Sequence, residues 1–68
     1  MGSATIQVQG MTCQGCVNSV TKALKSIPGV ESVDVSLEKN QATVTYEEGR
    51  TSVSVLKQAI EDAGYEVA

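Results

Sequence analysis

The chain has 68 residues, 41% of them hydrophobic, and a formal net charge of −3. That length holds one domain with a small core, and with no Phe and no Trp the core has to be aliphatic. The acidic balance, with five scattered basic residues, argues against nucleic-acid binding, which calls for a basic stripe.

Met1-Gly2-Ser3 has the look of an expression scar, which places the domain at 4–68. Residues 4–9 alternate, with Ile6 and Val8 on one side and Thr5, Gln7 and Gln9 on the other, which predicts a half-buried strand. Gly10 ends it and opens a loop carrying Met11 and Cys13.

From about Gln14 the period changes. Val17, Val20, Leu24 and Ile27 recur at spacings of three, four and three, one stripe of a helix whose wet face carries Asn18, Lys22 and Lys25. Lys22 and Lys25 read as a solvated helix face or as a small docking patch for an acidic partner. Pro28-Gly29 stops the helix.

Val30, Val33, Val35 and Leu37 follow, with clean alternation from Ser32 to Glu38. Lys39-Asn40 is expected to form a two-residue turn, because Asn tolerates positive φ. Ala42, Val44 and Tyr46 then alternate with Thr43 and Thr45, completing a hairpin. After the polar loop 47–50, Thr51 or Ser52 can cap a second helix. Its inner face is predicted as Val53, Leu56, Ala59, Ile60 and Ala63; Gly64 ends it, and Tyr65-Glu66-Val67 suffices for a short last strand. The order predicts an α+β fold of ferredoxin-like βαββαβ type, a four-stranded antiparallel sheet with two helices on one face.

The chemistry lies in Cys13 and Cys16, the two cysteines of the chain, in the run Gly10-Met11-Thr12-Cys13-Gln14-Gly15-Cys16. Cys16 falls in the first helical turn, where exposed N–H groups and the helix dipole favour the thiolate, the form that binds metal. Two thiolates without a histidine do not complete a four-ligand structural zinc site; zinc would need a carboxylate with water, or a second chain. An iron–sulfur cluster needs four thiolates. A thioredoxin-type oxidoreductase also uses C-x-x-C at a helix start, but on a longer fold. Burial as small hydrophobes fits poorly with a Gly-flanked loop. Soft-ion binding remains: Cu(I) takes two thiolates well, and Hg(II) shares the preference. Gly15 leaves the approach uncrowded. Met11 is either a thioether ligand or an apolar anchor of the loop. Tyr65 either joins the core or packs beside the cysteines, since the last strand should neighbour the first.

Gly10-Met11-Thr12-Cys13-Gln14-Gly15-Cys16 resembles the G-M-x-C-x-x-C motif of heavy-metal-associated domains. Pro28-Gly29-Val30, Val33-Asp34-Val35, Ala42-Thr43-Val44 and Ala63-Gly64-Tyr65 are similar to that family's landmarks, and the likeness covers roughly residues 4 to 67. The family includes bacterial copper chaperones, N-terminal domains of copper-exporting P-type ATPases and mercury-binding proteins of mercury resistance. The resemblance implies Cys13 and Cys16 as metal ligands and Met11 as the buried loop anchor. Many bacterial copper chaperones carry His where this chain has Gly15. The expected role is a non-enzymatic metallochaperone carrying one Cu(I) per chain, with Hg(II) and Zn(II) as alternative ions. The alternative roles are an N-terminal metal-binding domain excised from a copper-transporting ATPase and a mercury-binding protein of mercury resistance. Its expected partner is a copper-transporting ATPase or another C-x-x-C acceptor. The chain is expected to be a monomer when apo, and a metal-bridged dimer is an expectation for the loaded form. No apolar run approaches the ~20 residues of a membrane span, and no basic n-region with an apolar h-region opens the chain. Membrane insertion is therefore not expected, and available thiols fit a reducing, cytoplasmic setting.

Overall fold

The computed structural model describes residues 1–67; Ala68, the end of the expected domain, lies outside the described residues. Alternation builds the first strand, β1 (Gly2–Gln9), with Ile6 and Val8 buried. It starts two residues before the expected boundary: Gly2 pairs with Tyr46 and Ser3 with Thr45. The 3-4-3 stripe builds helix α1 (Gln14–Lys25), with Val17, Val20 and Leu24 buried. Lys22 and Lys25 stand in its last turn, where the dipole favours cations. Ile27, past the helix end, is half-buried against the core.

The hairpin of β2 (Val30–Ser36) and β3 (Gln41–Tyr46) differs from expectation in two places. A bulge falls between Val30 and Ser32, because Val30 faces Tyr46 while Ser32 faces Thr45. Glu31 is thus the extra residue, and it reconciles the three-residue spacing of Val30 and Val33 with a period of two. The turn is also longer than two residues: Ser36 and Gln41 are the last pair, and Leu37–Asn40 form the loop. Asn40, at φ 53, supplies the left-handed step, and its N–H reaches the Leu37 carbonyl at 3.3 Å. Leu37 therefore leaves the strand expected for it.

Helix α2 (Val53–Asp62) buries Leu56 and Ile60, and strand β4 (Glu66–Val67) follows. Ala63, expected on the inner face, is exposed: it is the C-cap, where the chain already turns away. Ser52 is the N-cap but makes no side-chain capping bond, and Thr51 is buried instead, its Oγ1 without a partner.

The sheet order is β2-β3-β1-β4, all neighbours antiparallel. The helices pack on the face of Ile6, Val8, Ala42 and Val44, and Leu24, Leu56, Ile60 and Val20 fill the layer between. Each such side chain contributes about 1.5–3 kcal/mol on burial, which makes this aliphatic layer the main support of a small domain. The order places β4 beside the end of β1, through Val8–Val67 and Gln9–Glu66. The segment before β4 therefore lies against the loop that leaves β1.

Candidate metal centre

The loop from Gly10 to Cys13 is held at both ends. Gly10 has φ 99, a conformation that glycine adopts without cost. Met11 is 5% exposed and belongs to the core cluster, so it pins the loop from beneath. Cys13 is the N-cap of α1 in an extended conformation, and its carbonyl accepts the N–H of Cys16 at 3.0 Å and of Val17 at 3.3 Å. Its side chain makes no capping bond, so the sulfur is not tied to the helix N-terminus. No acidic residue occupies the first turn of α1.

Both cysteines are free thiols, Cys13 exposed and Cys16 half-buried. Their Sγ atoms stand 3.7 Å apart, a thiol–thiol hydrogen-bond distance well beyond the ~2.05 Å of a disulfide. Thr12 Oγ1 lies 3.9 Å from Cys16 Sγ. The Cys16 thiol is lowered from its ordinary 9.0 to about 6. The backbone N–H of Thr12 is the largest cause, then the Tyr65 phenol; partial burial opposes them, and Cys13 adds a smaller lowering through its thiol and its backbone. Tyr65 answers with a raised pKa, chiefly through the same interaction with Cys16, while Ser19 pulls it back.

The structure brings together Cys13, Cys16, Met11 and Tyr65 around one loop. Met11 sits in the core, as an anchor does. Tyr65 is half-buried, packs against the core and also reaches Cys16, so the two roles weighed for it are not exclusive. Thr12 was missed as a contributor; the signal was its place just before a helix start, where backbone donors gather. Among the described residues, no group of three or more Cys, Asp or Glu side chains is disposed to hold a metal ion. The arrangement is therefore a two-sulfur site with an open side. With bonds of about 2.3 Å, sulfurs 3.7 Å apart subtend about 107° at an ion, whereas a linear pair needs about 4.6 Å. The exposed Cys13 side chain is the one free to move by that difference.

Residues 5–66 match the model of the heavy-metal-associated domain. The chain belongs to this family. A copper chaperone CopZ of Staphylococcus haemolyticus is 49% identical over 67 residues, covering 98% of both chains. Among solved structures, a copper binding domain from HMA7, a P-type ATPase, is similar at TM-score 0.98 and 38% identity, over all of this chain and 92% of that one. Oxidized MerP from Ralstonia metallidurans follows at TM-score 0.93 and 43% identity, over 98% and 93%. The heavy-metal-associated fold thus accounts for the observed sheet order, and the C-x-x-C loop falls inside the matched span. Among the described residues, no helix is long and apolar enough to cross a membrane.

Proposed function

We propose that this domain is a metallochaperone that carries one Cu(I) between Cys13 and Cys16 and hands it to a partner C-x-x-C site. The observation that carries this reading is the pair of thiols 3.7 Å apart with, among the described residues, no third Cys, Asp or Glu side chain disposed to close the shell. Two soft sulfurs suit Cu(I) and leave it coordinatively open. The likeness to a copper chaperone over nearly the whole of both chains supports the same reading.

The mechanism is ligand exchange. A partner thiol loses its proton and bonds to the ion, giving a three-sulfur state. One cysteine of this chain then releases the ion and takes up a proton. The partner's second thiol displaces the other cysteine in the same way, and the ion passes to the partner. No electron changes hands, and the ion is never free. The partner class is the C-x-x-C domain of a copper-transporting P-type ATPase in the cytoplasm; the similarity to a copper binding domain of a P-type ATPase supports this choice. The open site also admits sulfur from a second copy of this chain, so loading is expected to favour a dimer bridged at the loops, and the apo chain a monomer.

The test is anaerobic mass spectrometry with Cu(I), Zn(II) and Hg(II) in competition, followed by transfer to an acceptor domain. One Cu(I) per chain, lost in Cys13→Ser and Cys16→Ser, supports the reading. Native transfer by Cys13→Ser would sink it. Hg(II) is the second reading, since the same pair of soft sulfurs suits it; preferential retention of Hg(II) would select it.

A further inference from the structure

Gly15 is the second residue of α1, in the middle of the C-x-x-C run. Three usual reasons for a glycine do not apply to it. Its backbone is not in the left-handed region, which among the described residues is occupied by Gly10, Gly29, Gly64 and Asn40. No core atom and no backbone outside its own helix turn crowds it, and the residue is exposed. Nor does a helical turn favour glycine, which costs more backbone entropy there than alanine. Beyond the adjacent residues and the helix's own backbone, a Cβ built on Gly15 would meet one neighbour within 4 Å: Cys13 Sγ, at 3.6 Å. That is ordinary van der Waals contact, so folding tolerates the side chain. What the side chain would change is the free surface of one sulfur.

The same shell around Cys13 Sγ is needed for exchange. In a three-sulfur state with bonds of about 2.3 Å, each sulfur lies about 4 Å from the other two. We propose that Gly15 holds the flank of Cys13 open to an incoming thiol, so that it sets the rate of ligand exchange without setting the affinity for the ion. Its role in exchange rests on the metallochaperone reading; its role in exposing Cys13 does not. Gly15 is a positioning residue in this scheme, acting through the space beside Cys13 and touching no metal.

The experiment separates the two. Alkylation of the apo protein by iodoacetamide and by a bulky maleimide, mapped by peptide mass spectrometry, reads access to each cysteine with no metal present. Gly15→Ala and Gly15→Leu are compared with Gln14→Leu, which adds bulk at the neighbouring exposed position. Gly15→Leu is expected to slow maleimide attack on Cys13 by about threefold or more, with Gly15→Ala between it and the native chain, because thiol reactions depend on access. Cu(I) affinity, measured against a competing chelator, stays within about twofold while transfer to an acceptor slows in step with alkylation. Native alkylation rates at Cys13 in Gly15→Leu overturn the proposal, as does equal slowing in Gln14→Leu. Loss of Cu(I) affinity in step with rate overturns it too. If Cys13→Ser carries Cu(I) normally, the metallochaperone reading falls while the alkylation result still stands on its own.

Discussion

The Tyr65 phenol stands beside the Cys16 thiol, and the two move each other's pKa in opposite directions. The contact joins the last turn before β4 to the first turn of α1, and it exists because Val8 pairs with Val67. Tyr65→Phe removes the hydroxyl and keeps the ring. The Cys16 thiol is then expected to rise from about 6 part of the way toward 9.0, since the Thr12 N–H, the larger cause, remains. Thiolate absorbance against pH reads this directly. An unmoved Cys16 midpoint in Tyr65→Phe would remove the phenol from the centre.

The lowered Cys16 thiol also makes apo stability depend on pH. Its folded pKa, about 6, lies below the ordinary 9.0, so the unfolded chain binds more protons between these values. The contribution is present in full above about 9 and shrinks as pH falls, and it is lost below about 6. Denaturant midpoints of the native chain should therefore rise with pH across this window, and Cys16→Ser should flatten that rise. A parallel slope in the variant would show that other groups carry it.

Met11 provides a test of anchor against ligand. It is 5% exposed within the core cluster. Met11→Leu conserves volume and is expected to cost less than about 1.5 kcal/mol, with Cu(I) binding retained. Met11→Ala leaves a cavity and should cost about 2–5 kcal/mol, a large part of what a domain this small holds. Retained stability in Met11→Leu with lost Cu(I) binding would reassign the thioether as a ligand.

These expectations trace back to features of unequal legibility. The alternation around Ile6 and Val8 and the spacing of Val17, Val20 and Leu24 are local patterns and fold as read, while Ile27, the fourth member expected on that helix stripe, falls past the end of α1. The bulge at Glu31 and the loop Leu37–Asn40 depend on which residue of β3 each residue of β2 meets, a pairing that no window of sequence contains. Ala63 is apolar and in phase with α2 but sits where the helix has already ended. At the site, the positions of Cys13, Cys16 and Met11 follow from the motif and its flanking strand. The Tyr65 contact needed the sheet order, and the donation from Thr12 needed the loop's path.

Thr51 carries a buried hydroxyl with no partner. Removing such a group while keeping its shape relieves a desolvation penalty. Thr51→Val is thus expected to match or exceed native stability, by up to about 1 kcal/mol, in thermal or urea unfolding. A loss greater than that would mean that the hydroxyl is satisfied in solution.

Gly29 and Gly64 separate two costs that are usually confounded. Both have strongly positive φ, 98 and 99 respectively, so alanine at either position pays a backbone penalty of about 1–2 kcal/mol. The surroundings differ. A Cβ at Gly29 would lie 2.6 Å from Arg50 Cβ and 3.4 Å from Thr51 Cγ2, whereas one at Gly64 meets nothing within 4 Å. Arg50 Cβ is fixed to its backbone and cannot swing aside. The Gly29 carbonyl accepts the Glu47 N–H at 2.7 Å, which ties the two loops together at this point. Gly29→Ala must therefore push the start of β2 away from the entry to α2, adding about 1–3 kcal/mol of overpacking. Denaturation should place Gly29→Ala below Gly64→Ala by at least about 1 kcal/mol. The Cys16 titration should be unchanged in Gly29→Ala, since the strained contact involves Arg50 and Thr51 and no residue that shifts that thiol. Equal stability of the two variants would show that backbone conformation alone sets the cost and that the close approach at Gly29 relaxes freely.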